Sequence, residues 1–205
     1  MNRESQFAII SLLAAFLGCG DNMERAAETV TNAPQRENTE VVLDESDLDK
    51  IRESADQGDA EAQHGLGIKY HNGIGVPQND AEAVKWFRLA ADQGVAEAQF
   101  MLGGLYMSGK GVAKDNTEAA KWFRLAAEQG DAMAQYSLGL EYYKGTGIPK
   151  DDAEAYMWLT VAAESGMPTK MFLDKIDQNL TQQDLSKAQQ RATELLEKIE
   201  SGKEQ

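Results

Sequence analysis

Cysteine is almost absent from this sequence, and histidine is nearly as rare. Among 205 residues, Cys19 is the single cysteine, and His64 and His71 are the two histidines. One thiol cannot form an intramolecular disulfide, and this composition excludes a cysteine-rich metal site. The two histidines could share a helix face, since they are seven residues apart. Two ligands are too few, however, and we expect neither a metal nor a cofactor.

Basic side chains are also in short supply. The chain carries 20 Lys and Arg against 34 Asp and Glu, which gives a net charge of −14 at pH 7. Proteins that bind nucleic acid neutralise phosphates with clustered Lys and Arg, and anionic lipid surfaces attract the same residues. The charge balance therefore argues against nucleic acid as a partner. It also argues against direct binding of the folded part to an anionic membrane.

Catalytic motifs are missing as well. The sequence contains no G-x-S-x-G, no H-E-x-x-H and no Ser, His and acid set at an interpretable spacing. Its carboxylates fall mostly at predicted helix starts and on outward helix faces, where they keep the surface solvated. The sequence therefore predicts a protein that is not an enzyme.

The N-terminal apolar run is too short to cross a membrane. Residues 7–17 are almost entirely apolar and follow six polar residues with one Arg, whereas a membrane-spanning helix needs roughly 20 apolar residues. This pattern predicts a signal peptide over residues 1–18. Residues 19–43 are rich in Glu, Asn and Thr, and we expect them to form a flexible tether.

The segment that ends this run, Phe16-Leu17-Gly18-Cys19, resembles a bacterial lipobox. The resemblance implies cleavage before Cys19 and modification of Cys19 with acyl chains such as palmitate, which together anchor a protein stably to a membrane. In lipoproteins an Asp directly after the cysteine favours the inner membrane. Gly20 stands there instead, so the resemblance implies a periplasmic protein attached to the outer membrane. An ordinary signal peptide with an incidental cysteine is the alternative.

A period of 36 residues dominates the rest of the sequence. Residues 58–93 and 94–129 are identical at 21 of 36 positions, and residues 130–165 keep the same skeleton. Trp86 recurs in this register as Trp122 and Trp158. A fixed period of this length indicates structural units that stack on one another.

Each unit is predicted to contain two helices joined by a glycine turn. In the first unit, one helix carries A-x-x-x-L-G-x-x-Y from Ala62, and the other carries E-A-x-x-W-x-x-x-A-A from Glu82. Both spacings place the apolar residues on one helix face. A G-x-G turn from Gly73 joins the helices, because glycine tolerates positive φ. Asn79 is the predicted N-cap of the second helix, which is expected to close at Gly94.

A glycine recurs in the middle of each predicted first helix. Such a glycine costs about 1 kcal/mol relative to alanine. Its recurrence predicts that a neighbouring helix or the Trp ring lies too close to admit a side chain. The expected structural residues are Gly67, Gly103, Gly139, Trp86, Trp122 and Trp158.

These motifs at this period resemble the Sel1-like repeat, a relative of the tetratricopeptide repeat. The resemblance implies an all-α fold, a right-handed α-solenoid of helix-turn-helix repeats. It also implies a function as an adaptor or assembly factor that binds partner proteins on the concave surface. Terminal units need capping. We expect repeats over 58–93, 94–129 and 130–165, an N-terminal capping helix over 44–57, and C-terminal capping helices over 166–202, the last with Thr181 as N-cap.

Comparison of the units indicates where a partner binds. Positions identical in all three units, such as those of Gln63 and Tyr70, are expected to build the interfaces between units. Positions 64, 68 and 71 share a helix face but vary between units and are mostly aromatic or apolar. We predict a partner-binding surface there, with packing against the core as the alternative. Its residues are His64, Ile68, His71, Phe100, Met107, Tyr136, Leu140 and Tyr143, and Gly104 takes the remaining position.

Three function classes stay open at this stage. The leading one is a monomeric adaptor lipoprotein of the cell envelope that binds another protein. It includes an immunity protein that neutralises a toxic effector in the periplasm, a role that the resemblance implies for some members. The second is a hydrolase of envelope polymers. The third is a structural part of a secretion or polysaccharide assembly complex.

Overall fold

The computed structural model describes residues 45–203, and every regular element in that part of the chain is an α-helix. The predicted signal peptide, Cys19 and the tether lie outside the described residues. The helices are α1 Glu45–Asp56, α2 Ala60–Asn72, α3 Asp80–Asp92, α4 Ala96–Ser108, α5 Asn116–Glu128, α6 Ala132–Lys144, α7 Asp152–Glu164, α8 Lys170–Asp177 and α9 Gln182–Lys203.

Three helical hairpins follow one another along the chain. The pairs α2/α3, α4/α5 and α6/α7 each form one hairpin, and the second helix of each pair packs against the first helix of the next. Before the first hairpin, α1 lies against α2, and after the last one α8 and α9 both lie against α7. This order confirms the predicted all-helical solenoid.

The second helices begin where the sequence predicts. The side chain of Asn79 accepts hydrogen bonds from the backbone N–H groups of Ala81 and Glu82, both at 3.1 Å. Asp115 and Asp151 do the same for α5 and α7. Such caps satisfy backbone donors that the first turn leaves free. They fix the start of each second helix relative to the turn that precedes it.

The core of each hairpin is formed by the invariant apolar residues. Leu66, Leu102 and Leu138 of the first helices are fully buried, and so are Phe87 and Phe123 of the second helices. The tryptophans differ in burial along the array, because Trp86 is half-buried whereas Trp122 and Trp158 are buried. The stripes predicted from spacing therefore face the core in every unit.

The mid-helix glycines lie against the second helix of their own hairpin. A Cβ atom on Gly67 would lie 2.6 Å from Phe87 Cδ1, and one on Gly103 would lie 2.7 Å from Phe123 Cδ1. In the third unit, Gly139 faces Leu159 in the same way. The close neighbour is thus the residue after the tryptophan, and not the Trp ring that the sequence left as an alternative.

We expect adjacent glycines of α4 to respond to alanine with opposite signs. Gly103→Ala forces a methyl group against the buried ring of Phe123, which should lower the free energy of unfolding by about 1–3 kcal/mol. A Cβ atom on Gly104 would have no atom within 4 Å, so Gly104→Ala should raise stability by up to about 1 kcal/mol through helix propensity. Urea denaturation followed by circular dichroism measures both. Equal effects of the two changes would contradict this packing.

Two polar contacts join successive units, as expected for invariant positions. Gln99 Nε2 donates to the Ala91 carbonyl of the preceding unit at 3.1 Å. Arg88 donates to the hydroxyl of Tyr106 and lies over its ring. These contacts tie the second helix of one unit to the first helix of the next, so the invariant Gln and Tyr belong to the interfaces.

The two C-terminal helices close the array. Thr181 accepts a hydrogen bond from the Asp184 backbone N–H at 3.2 Å, which confirms it as the N-cap of α9. The apolar stripe of α9 buries Ala188, Ala192 and Ile199 against the main core. An ion pair of 2.6 Å between Arg191 and Glu154 adds a link to α7. The stripe of the final helix is therefore used for packing inside this chain.

Candidate protein-binding surface

The predicted partner-binding residues share one side of α2, α4 and α6, named here the first-helix surface, and of the eight Met107 is exposed whereas the other seven are half-buried. Position 64 and its equivalent Phe100 are only partly on this surface, since both rings are half-buried. The His64 ring lies 5.9 Å from the Phe87 ring, and the Phe100 ring lies 5.8 Å from the Phe123 ring. Ile68 packs against the main core as well. These positions thus contribute to packing within their own hairpins.

In the third unit the first-helix surface is next to α8. The Phe172 ring lies 6.2 Å from the Tyr136 ring and 5.7 Å from the Tyr143 ring, both edge-on. Leu140 joins the same cluster, which is centred on the fully buried Ile176. Phe172 stands 36 residues after Tyr136, so it continues the aromatic series one helix further. The third unit therefore uses its variable face to seat the C-terminal segment.

The middle of the first-helix surface is open. A cavity of about 200 Å³ lies between the end of α2 and the middle of α4, and we name it the Gly104 cavity. The side chain of Met107 is exposed to 39% one turn further along α4. The residues that line the cavity are His71, Phe100, Met101, Gly104, Leu105, Ser108 and Lys110.

Sequence reasoning found part of this cavity and missed the rest. The cavity brings together His71 and Phe100 from different units, as the predicted surface requires. Four lining residues were not among the predicted ones, because they lie off the 64, 68 and 71 stripe: Met101, Leu105, Ser108 and Lys110. One signal for Lys110 was present, since the turn residue at this position varies as Ile74, Lys110 and Thr146.

Two basic side chains line the cavity, and they differ in whether a carboxylate contacts them. His71 Nδ1 lies 2.7 Å from Asp80 Oδ1, so the imidazole is held by the start of α3. The ammonium group of Lys110 makes no ion pair with the part of the chain that the structure describes. Lys110 thus places a cation at the rim of the cavity, in addition to the His71–Asp80 pair.

A buried carboxylate marks the same level of the next unit. Glu141 is only 5% exposed, and its Oε2 has no hydrogen-bond partner. Burial raises the pKa of this carboxyl, while Lys144 and Lys114 act in the opposite direction. Leu105 holds the equivalent position in the middle unit. The middle and third units thus differ in polarity at this position, which is a leucine in one and a carboxylate in the other.

Neither a metal cluster nor a membrane span is found in the described part of the chain. Among residues 45–203, no three His, Cys, Asp or Glu side chains are grouped so that they could hold a metal ion. None of the helices in this range combines the length and the apolar character that a membrane crossing requires.

Family comparison agrees with the geometry of the hairpins. The family model of the Sel1 repeat matches residues 60–95, 96–131 and 132–167, which is just over half of the chain. The chain belongs to the Sel1 repeat family. Each matched repeat begins two residues after the predicted boundary, close to the start of the first helix. Members of this family are mainly non-enzymatic scaffolds that serve as protein-interaction modules.

Two solved Sel1 structures resemble this chain. A Sel1 repeat protein from Oxalobacter formigenes is 43% identical over 63% of this chain and 98% of its own, with a TM-score of 0.58. The protein c5321, described as a protective antigen present in uropathogenic Escherichia coli strains, is 45% identical over 59% of this chain, with the same TM-score. The match spans 26% of c5321. No curated protein gave a significant match.

Proposed function

We propose that this Sel1 repeat protein is an adaptor that binds another protein on its first-helix surface, at the Gly104 cavity and Met107. One observation carries the proposal: in the central unit, a cavity lined by both apolar and polar side chains lies beside an exposed methionine. Packing of the hairpins does not need either feature. Exposed apolar side chains around a concave site are typical of residues that contribute most to protein association.

The contacts of the flanking units support this location. His64 and Phe100 pack against their own second helices, and Tyr136 and Tyr143 seat Phe172 of α8. Only the central part of the surface leaves side chains free for a partner. The α8 contacts also illustrate that this surface accepts an aromatic side chain presented by a helix.

A charge placed on this surface should block the partner. Met107→Glu introduces a carboxylate at an exposed position, and Leu89→Glu does so on α3, where Leu89 is 46% exposed. We expect Met107→Glu to reduce capture of the native partner by about tenfold or more, because an apolar contact becomes a desolvated charge. Leu89→Glu should leave capture unchanged. Both variants should keep the wild-type melting temperature.

The measurement is affinity capture from cells, with the bound proteins quantified by mass spectrometry. The proposal fails if Met107→Glu and Leu89→Glu retain the same proteins in the same amounts. Phe100 and Tyr136 are unsuitable for this test, since replacing either one removes packing against Phe123 or Phe172.

The proposed place of action is the bacterial cell envelope. Cys19 behind a short apolar run supports a lipid-anchored protein of the periplasm, attached to the outer membrane. Radiolabelled palmitate should enter the wild type and not Cys19→Ser. Equal labelling of the two proteins would contradict the anchor and leave the binding surface unaffected.

A further inference from the structure

Gly104 is a glycine without a packing reason. Its neighbour Gly103 has Phe123 at 2.7 Å from a Cβ position, whereas a Cβ on Gly104 would meet no atom within 4 Å in the part of the chain that the structure describes. The equivalent residues in the other units are Ile68 and Leu140. A mid-helix glycine with free space costs helix stability and gains no contact. Gly65 of α2 is equally free of contacts, so free space alone does not mark a site. Gly104 also lines a cavity, and a locally unfavourable residue in that place points to a functional position.

The missing side chain is what opens the cavity. The walls come from Phe100, Met101 and Leu105 of α4 and from His71 of α2. An Ile or Leu at position 104, as in the flanking units, would project toward the same space. The central unit therefore differs from its neighbours by an unfilled space on this variable surface, lined partly by apolar side chains.

The size of the cavity indicates the kind of occupant. Its volume is about 200 Å³, whereas pockets for drug-sized ligands and cofactors have about 300–1,000 Å³. An apolar cavity of about 150 Å³ is large enough for a benzene ring. The space thus fits one large apolar side chain and is too small for a cofactor.

The charge of Lys110 at the cavity rim indicates what kind of segment would supply this side chain. Lys110 lines the cavity from the G-x-G turn, and the other two units have Ile74 and Thr146 at this place. Its ammonium group has no carboxylate partner among residues 45–203. The unit that has the open socket is thus also the unit that has a cation at the turn. Both differences favour a segment with a carboxylate next to its apolar side chain.

On this basis we infer that the Gly104 cavity is a socket for one Phe-, Leu- or Met-sized side chain of an acidic partner segment, with a carboxylate of that segment bound by Lys110. The inference rests on the proposed adaptor function and specifies the chemistry of the partner. It makes Gly104 and Lys110 the residues that determine specificity, the first by leaving space and the second by its charge.

A small probe tests the socket without knowledge of the partner. We would titrate the full ¹⁵N-labelled chain with 4-phenylbutyrate, which carries a ring and a carboxylate. The comparison compounds are 4-phenylbutylamine, which has the opposite charge, and butyrate, which has no ring. Saturable shifts are expected at the backbone amides of Gly104, Leu105 and Lys110. They should be largest for 4-phenylbutyrate and absent for butyrate.

Two variants and one control assign the effect to the socket. Gly104→Leu fills the space as Leu140 does in the third unit and should weaken binding of 4-phenylbutyrate by about tenfold or more. Lys110→Gln should weaken it by about threefold, since an exposed ion pair contributes little, and should remove the preference over the amine. Gly65→Leu, at a helix position that is equally free of contacts, should bind as the wild type does.

Several results would overturn the inference. No saturable shift at these amides, or unchanged binding by Gly104→Leu at an unchanged melting temperature, would mean that the cavity is not a socket. Stronger binding of 4-phenylbutylamine would rule out the acidic segment. Partner capture is measured separately, so a failed adaptor function and a failed socket give different patterns. If Met107→Glu captured the same proteins as Leu89→Glu while the wild type still bound 4-phenylbutyrate, only the adaptor function would be contradicted.

Discussion

Trp122→Ala should lower the free energy of unfolding by about 3–5 kcal/mol, the usual cost of removing a buried aromatic side chain. Trp122 is 9% exposed and belongs to the main core, which it shares with residues of all three hairpins. A central unit supports neighbours on both sides, so the damage should reach the whole array. Thermal and urea denaturation, followed by circular dichroism, measure the change.

Two companion variants show whether the loss depends on the buried position of Trp122 and on its indole N–H group. Leu125→Ala lies one turn further along α5 at a 44% exposed position, and it should change stability by less than about 1 kcal/mol. Trp122→Phe should lose clearly less than Trp122→Ala, because the indole Nε1 makes no hydrogen bond in the described structure and the ring face is kept. If Trp122→Ala lowered the free energy of unfolding as little as Leu125→Ala does, the side of α5 that carries Trp122 would not face the core, and this account of the packing would be wrong.

Gly111→Ala should be similarly damaging, with a loss of about 2–5 kcal/mol. Gly111 has a φ of +69°, and a Cβ atom there would lie 2.2 Å from the Asp80 carbonyl oxygen. Left-handed backbone alone costs an alanine about 1–2 kcal/mol, and forced overlap in a packed site costs about 1–3 kcal/mol more. The obstacle is backbone of the preceding unit, so it cannot rotate away. The two units must separate instead.

Gly75→Ala is the matched control for this effect. Gly75 occupies the same turn position in the first unit with a φ of +72°, but no atom of residues 45–203 lies within 4 Å of its Cβ position. Its alanine variant should show only the backbone strain, about 1–2 kcal/mol. The difference between the two melting curves measures how tightly the turn of one unit sits on its predecessor. Equal losses would mean that this contact between units does not form.

The repeated part of the fold was predictable because three copies report on the same positions. The 36-residue period located the hairpins, and Asn79, Asp115 and Asp151 cap the predicted helices. Spacing alone also identified the core faces, since helix geometry fixes which residues share a side. The conformational role of the G-x-G turn followed from the same rules.

Contacts between units were beyond the sequence. Positive φ already explains why both turn positions are glycine. The sequence therefore did not indicate that Gly111 also lies close to the backbone of Asp80. Likewise, the recurrence of Arg88 and Tyr106 does not reveal that they bond each other, because that depends on how hairpins stack. The partner of each mid-helix glycine was ambiguous for the same reason.

The binding surface was predicted as one stripe, and the structure divides it. Variation between units identified positions freed from the common interfaces, but it could not show what covers each of them. Phe172 keeps the 36-residue spacing from Tyr136, but the rest of the sequence after Pro168 loses the period, so the contacts of Phe172 with Tyr136 and Tyr143 were not predicted. The open cavity depends on an absent side chain at Gly104, which composition and periodicity do not register as a site.

The most direct test of the adaptor account is a map of where the partner touches the protein in living cells. A photo-activatable phenylalanine analogue would replace Met107 on the first-helix surface or Leu89 on α3 in separate variants. Both positions are exposed to a similar extent, so labelling of random collisions should be equal. The account predicts a discrete cross-linked protein from position 107 and none from position 89. Cross-links of equal yield at both positions, or from position 89 alone, would contradict it.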